Sequence, residues 1–394
     1  MKNNMHRLAA CLLAFILFTL AGAPAPAKAA GEATKAGEAT NKVVFRCLGD
    51  FVIHDAVLEA AKQKDGSYDF HSMLAPVADL IGDADITVAN VDGVMGANTD
   101  YIGYPRFSTP LSLMDALKDA GVDMLTMANN HALDYDYTGL IAQMNACEER
   151  GMDFIGGART QKEADTPQIR EINGIRIGFL NFTTQANGRQ IAKANRNMPA
   201  YVLNMAYRKN NFESDAKALR DAGAEVIVAF MHWGTEYARS YDDEQKIMVS
   251  RLIRAGADVI VGGHPHVIQR IYWREGTRDH DGGKQRTLCC YSLGNFLSNQ
   301  QQQYRNCGII FEFTLEKDAK GKVTVHSPGY IPVFVWREEV KKAYTYQVVA
   351  TERMMKNVPA SMSKSVRTAL KRSWNDTIEH LSTSSAAAKC IHIQ

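Results

Sequence analysis

The chain has 394 residues, 46% of them hydrophobic and 22% charged, a globular composition that excludes a wholly disordered, collagen-like or coiled-coil protein. Its 45 Lys and Arg against 43 Asp and Glu give a net charge of +2. Lys2, Arg7 and Lys28 fall in the acid-free first 29 residues, so the body is near neutral, lacks the basic footprint of a nucleic-acid binder, and excludes nucleic acid as a partner.

A basic stretch, residues 1–7, precedes a 13-residue apolar run at 8–20 and the small-x-small triplet Ala27-Lys28-Ala29. The run is shorter than the roughly 20 residues a spanning helix needs, so residues 1–29 read as a secretory signal peptide. Leu8-Ala9-Ala10-Cys11 has the look of a lipobox, but it precedes the apolar run instead of following it. Residues 30–42 repeat Gly-Glu-Ala-Thr without an apolar pattern, as a flexible linker does. The expected location is periplasmic or secreted, with a membrane tether if the signal is retained. Six cysteines follow Cys11, an even number that permits disulfides in an exported chain. Cys47, Cys289, Cys290 and Cys307 sit in apolar runs where a thiol serves as a small core residue, and the pairing stays open.

The body repeats one unit. Residues 119–131 (DAGVDMLTMANNH), 221–232 (DAGAEVIVAFMH) and 254–266 (RAGADVIVGGHPH) each follow an amphipathic, helix-like stretch that stops at Ala-Gly. Each then runs through apolar residues, the pattern of a strand buried on both faces, and ends in Asn or His. A looser copy at 80–93 ends in Asn90 and Asp92, and the first strand, 42–50, ends in Gly49-Asp50. Five predicted strands thus finish in metal-type or acid/base side chains, where open α/β sheets place their sites. From residue 285 the spacing changes to strands at 287–297, 308–316 and 322–336, which suggests a second sheet, two sheets in all with outer helices. Residues 338–394 read as a charged C-terminal extension with a surface helix over 364–381.

Two imidazoles in Gly262-Gly263-His264-Pro265-His266 can both turn inward, and neutral imidazole is a common ligand for divalent transition metals. His232 adds a third, Asp50 and Asp92 offer hard oxygens, and Asn130 a neutral one. That set exceeds the needs of one tetrahedral ion. Two bridged divalent ions fit it better, and paired ions suit in-line attack on a phosphate ester. His131, beside Asn130, is then the candidate to protonate the leaving oxygen.

Asp50 in Gly-Asp, Asn90-x-Asp92, Asn130-His131 with Asp134, the run 232–237 (HWGTEY), the run 262–269 (GGHPHVIQ) and the run 291–296 (YSLGNF) together resemble the bacterial capsule-synthesis protein CapA family. That family is associated with poly-γ-glutamate capsule and belongs to the calcineurin-like metallophosphoesterase superfamily. The resemblance spans residues 43–337 and implies an α/β fold, a four-layer α/β/β/α sandwich of two mixed sheets. It implies Asp50 and His266 on one metal (Mn, Zn or Fe), Asn130, His232 and His264 on the other, Asp92 as the bridge and His131 as the general acid. Asp134 then orients the His131 loop, and Asn90 and Asn295 line the pocket. Two departures stand out. The superfamily's Asp-x-His has Val52 in the His place, with His54 as a candidate substitute, and the bridging acid is Asp92 where the family has the longer Glu. Glu236 and Tyr237 are rim candidates, while Arg106 and Arg189 read as solvated loop residues.

The resemblance implies an exported, metal-dependent phosphoesterase-like hydrolase in capsule or cell-envelope polymer metabolism, with a phosphoester or anionic polymer as substrate and membrane-bound capsule-synthesis partners. Two other readings stay open: a non-catalytic accessory protein that binds anionic polymer during capsule export, and a metal-dependent hydrolase or transferase acting on γ-glutamyl amides.

Overall fold

The computed structural model describes residues 41–189, 202–207, 211–383 and 387–393; the expected signal peptide and the linker up to residue 40 lie outside them. Two mixed sheets face each other. In the first, Lys42–Val52 runs parallel to Ile86–Val91, which is followed outward by Met124–Thr126 and Asp153–Ile155, all parallel. On its other side Cys307–Lys317, Val323–Val340 and Ala343–Ala350 are added antiparallel, and Asn295–Ser298 pairs with the end of Lys42–Val52. The second sheet is ordered Ile271–Thr277, Lys284–Cys290, Val259–Gly263, Val226–His232, Ile175–Thr183, Ile169–Ile172, parallel in the middle and antiparallel at both edges.

The alternation of side chains along each strand divides the core into layers. Val43, Phe45 and Cys47 meet Ile177, Phe179, Val228 and Val261 between the sheets. Neighbouring positions point outward: Leu48 and Phe51 under helices Asp55–Ala61, Ser112–Asp119 and Asp136–Glu149, and Ile227, Ala229 and Ile260 under Asn211–Asp221 and Asp243–Ala255. Helix, sheet, sheet, helix is therefore the layer order expected. Arg46 is the polar exception on an outward face. It is 7% exposed and answered by Glu312 at 2.7 Å and the Leu80 carbonyl at 2.6 Å, as a buried charge requires.

The repeated unit folds as its sequence predicts. Helix Asp243–Ala255 opens on a reciprocal capping box between Asp242 and Gln245, and stops at Gly256 with φ 91°, a left-handed stop that only glycine adopts freely. The strands after 285 depart from expectation. Lys284–Cys290 joins the sheet of Val226–His232, whereas the three strands from Cys307 to Ala350 join that of Lys42–Val52. Apolar alternation identifies a strand but not its neighbour, so these strands complete two existing sheets instead of building a new one. Val323–Val340 runs past residue 337, and Ala343–Ala350 forms the sheet edge. Helix Lys364–Leu381 starts at the Ser363 cap and buries Leu370, Ser373, Thr377 and Leu381. Cys47, Cys147, Cys289, Cys290 and Cys307 are buried free thiols and Cys390 a half-buried one.

Candidate metal centre

Strand register gathers the predicted residues. Asp50 lies opposite Asn90 on one side and Asn295 on the other, Asn90 lies opposite Thr126, and His232 lies opposite Gly263. The Asp92, Asn130-His131 and His264–His266 loops follow immediately. A Cβ at Gly263 would stand 2.7 Å from Asp50 Oδ1, so this glycine is what lets one sheet's strand end approach the other's carboxylate. Backbone strain marks the same loop: His264 has φ 95° and His266 φ 56°, conformations that cost a non-glycine residue about 1 kcal/mol or more.

Asp50, Asp92 and His266 bring one ligand atom each to within 4.8 Å of one another, and all three are buried. Asp50 accepts from Asn90 Nδ2 at 2.8 Å and from the His264 amide at 3.0 Å. Burial pushes its carboxyl up, but His266, His232 and the His264 amide prevail and bring it down to about 2. His266 Nδ1 sits 3.1 Å from Asn295 Oδ1 and 3.4 Å from Asp50 Oδ2, while its Nε2 faces Asp92 Oδ2 at 3.7 Å. Asn295 is fixed in turn by its own donation to the Arg305 carbonyl at 2.8 Å. This is the arrangement in which an outer partner orients an imidazole through one nitrogen and leaves the other for a ligand.

Asp92 is 1% exposed, and neither of its carboxylate oxygens has a hydrogen-bond donor. Burial raises it to about 6 despite the opposing pull of His131 and His266. Two stranded oxygens in a sealed site are costly for a protein alone, and they are the donors a hard or borderline divalent cation takes. The residues therefore fit such a cation. A second set adjoins the first. His232 Nε2 lies 2.8 Å from Asn130 Oδ1 and 3.7 Å from Asp92 Oδ1, and its ring is 4.8 Å from that of His264. His264 Nε2 meets the Gln185 amide at 2.8 Å, and its Nδ1 is buried without a partner. Burial holds both rings neutral, with His264 down at about 4, the form in which imidazole binds metal.

His131 Nδ1 is 2.7 Å from Asp134 Oδ2, and the ring packs edge-on against Phe107 with centroids 4.7 Å apart. Asp134 also accepts from the Phe107 amide at 2.8 Å, and its carbonyl accepts from Arg106 Nε at 2.9 Å. Arg106 is exposed, as the sequence suggested, and also clamps the His131 loop through the Asp134 carbonyl. Arg189 pairs with Asp136 at 3.1 Å. His54 turns Nδ1 to the Val52 carbonyl at 2.9 Å and lies outside the Asp50–Asp92–His266 cluster. Tyr237 stands at the rim, its ring 6.1 Å from His266 and covered by the Arg305 guanidinium at 3.4 Å.

Four partners escaped the sequence reading. Asn129 donates to the Val91 carbonyl at 2.9 Å and accepts from the His131 amide at 3.0 Å. Asn187 accepts from Asn130 Nδ2 at 3.2 Å and turns its own amide nitrogen to the His131 ring, 3.1 Å from Nδ1 and 3.3 Å from Nε2; Gln185 and Phe107 are the others. Asn187 falls in Ala186-Asn187-Gly188, a turn-type signal that could have been noticed, and has φ 45°.

Fold and site together define a four-layer α/β/β/α protein with a buried Asp–Asp–His cluster at its strand ends. The profile described as "Bacterial capsule synthesis protein PGA_cap" matches residues 44–300, and the chain belongs to that family. It is 26% identical to the "PGA biosynthesis protein CapA" of Bacillus subtilis (strain 168) over 282 residues, 71% of this chain and 69% of that one. It is 31% identical to the "Capsule biosynthesis protein CapA" of Bacillus anthracis over 186 residues, 47% of this chain and 42% of that one. Among solved structures, Haemophilus influenzae NAD nucleotidase aligns at a TM-score of 0.45 and 12% identity, covering 88% of this chain and 57% of the other. The calcineurin-like phosphoesterase YfkN of Bacillus subtilis aligns at 0.40 and 16%, covering 86% and 98%. Both scores are too low to carry a conclusion about activity.

Proposed function

We propose that this chain is an exported, metal-dependent phosphoesterase-like hydrolase of capsule or cell-envelope polymer metabolism. The observation that carries the reading is Asp92, whose two buried oxygens have no donor and face His232 and His266 from the centre of the donor set. Asp50, Asp92 and His266 would hold one divalent ion, and Asn130, His232 and His264 a second, with Asp92 shared between them. Such a pair supplies charge stabilisation and water activation for in-line displacement at phosphorus. The chain's own part is positional. Asp134 fixes His131 by Nδ1, and Nε2, 3.3 Å from the Asn187 amide nitrogen, is the atom that passes a proton to a departing oxygen. Asn90 and Asn295 hold Asp50 and His266 in place. The signal-like residues 1–29 support delivery to the periplasm or exterior, where an anionic polymer or its phosphorylated precursor is the substrate and membrane-bound capsule-synthesis proteins are the partners.

A second reading, a non-catalytic polymer-binding protein of a capsule export complex, is favoured by one observation: position 52 is Val, so the first ion is one donor short. One experiment separates the two. Metal content per chain and turnover of a generic phosphomonoester and phosphodiester are measured on the same purified full-length protein. About two ions per chain, with turnover abolished by chelation, is the expected result. No retained metal after reconstitution with manganese, zinc or iron, and no turnover, overturns the enzyme in favour of the polymer-binding protein.

A further inference from the structure

Three segments outside the metal-type donor set are laced together by hydrogen bonds. Gln269 Nε2 donates to the carbonyls of Ala238 at 2.7 Å and Ser240 at 3.2 Å, on either side of Arg239. Arg239 Nη2 donates to the Asp376 carbonyl, in helix Lys364–Leu381, at 3.1 Å. The Ala387 amide, beyond that helix, donates to the Ile271 carbonyl at 3.0 Å. Arg239, Arg270 and His380 are thereby brought together, close enough that both guanidinium charges act on the His380 ring.

The polar atoms gathered there are not satisfied. Arg270 Nη1, His380 Nε2 and Thr383 Oγ1 are each shut off from solvent with no hydrogen-bond partner. Among the described residues Arg270 has no ion-pair partner, and Arg239 has only the Asp376 carbonyl and the face of Tyr304, 3.9 Å from its guanidinium carbon. The Asp376 carboxylate is taken by the Gln303 amide at 2.8 Å. Burial and the two arginine charges push His380 down to about 4, so the ring adds no compensating charge and offers a neutral nitrogen.

A guanidinium nitrogen shut off from solvent without a partner is costly even when the residue is only half-buried, and a charge-assisted bond to an oxyanion is the interaction that reverses that cost. Among the described residues nothing else supplies it. We propose that Arg239, Arg270 and His380 form a second ligand site, separate from the metal-type donors, that takes a small oxyanion of the phosphate or carboxylate class. The planar guanidinium of Arg270 supplies the fork that reads two oxygens at once, and the Thr383 hydroxyl lies three residues beyond His380 on the same chain segment. This site does not depend on whether the metal-type donors are catalytic.

The test is calorimetric titration of the full-length protein with inorganic phosphate and, separately, with glutarate. The Arg270→Gln and His266→Ala variants are run beside it. Binding of either anion that weakens about tenfold or more in Arg270→Gln and is unchanged in His266→Ala is the expected result; the anion that binds identifies the source, free phosphate or a carboxylate-bearing chain. Thermal melts guard against a merely structural role. Without anion, Arg270→Gln should melt no lower than wild type, because the Arg270 side chain makes no hydrogen bond among the described residues, and added anion should raise the melting point of wild type and His266→Ala but not of Arg270→Gln. No binding of either anion, equal binding by Arg270→Gln, or a lower melting point for that variant without anion overturns the proposal.

Discussion

The two sheets contribute unlike halves to one site. The Lys42–Val52 sheet supplies oxygen, from Asp50, Asp92 and Asn130, and these groups are steered by an amide web: Asn90 holds Asp50, and Asn129 ties the His131 loop to Val91. The Val226–His232 sheet supplies nitrogen, from His232, His264 and His266, and these rings are held by burial and by two left-handed backbone positions. The oxygen half is a network of satisfied hydrogen bonds with one deliberate gap at Asp92. The imidazole half is strained at His264 and His266, and each of its rings meets one side-chain amide: Asn130 at His232, Gln185 at His264 and Asn295 at His266. Neither half is a site alone, because the gap at Asp92 faces nitrogen donors that only the opposite sheet provides.

The largest effect should come from closing that gap. Asp92→Asn is expected to abolish metal retention and turnover. In chelated protein, it should raise stability by about 1–3 kcal/mol, because an unpartnered buried carboxylate is removed. Metal analysis and denaturant unfolding check both. A loss of stability in the chelated state would mean that Asp92 is satisfied by the protein itself. Next in size, His131→Ala should lower turnover by about 10²–10⁴-fold with metal content intact, read from kinetics and metal analysis together. Parallel losses of metal and turnover would make His131 a ligand instead.

The comparison sharpens with the supporting residues. Asn295→Ala, behind the imidazole half, should weaken metal binding by about 10–100-fold, whereas Asp134→Asn should lower turnover with metal affinity unchanged. Competition with a metallochromic chelator separates them. The smallest effect lies far from the site. His71 bonds Asp119 at 2.9 Å and Asp69 at 2.6 Å, and these bonds, Asp119 first, raise its pKa. Its stabilisation is therefore complete below the ordinary imidazole pKa and lost as pH rises through the raised value. His71→Gln should cost under about 1 kcal/mol in acid, since the ring is half exposed, and nothing in base. Denaturant midpoints at two pH values measure it.

Much of this was legible before any coordinate. Asp50, Asp92, Asn130, His232, His264 and His266 announce themselves because each ends an apolar run, all but Asp50 after a helix-like stretch, and a parallel sheet gathers such ends by geometry. Helix Lys364–Leu381 was equally readable from local pattern. Strand neighbours were not, because alternation along Lys284–Cys290 is the same whichever sheet accepts it. Nor were Asn187 and Gln185, whose relation to His131 and His264 is set by how a loop closes over the strand ends, not by a local pattern. Left-handed φ at His264 and His266 was hidden for a related reason: two glycines precede them, and the strain falls after the residues built to absorb it.

The middle position of Lys42–Val52 has a consequence for how the molecule comes into being. That strand is the earliest among the described residues, yet one of its flanks is occupied by Cys307–Lys317, with Val43 opposite Leu315 and Phe45 opposite Phe313. Until more than three-quarters of the polypeptide is available, its central strand has an open edge, and a growing chain cannot complete its first sheet in order of synthesis. Closure over so long a loop makes folding slow and late. The first sheet therefore closes only when Cys307–Lys317 reaches Lys42–Val52, so its stability is shared between segments far apart in the chain.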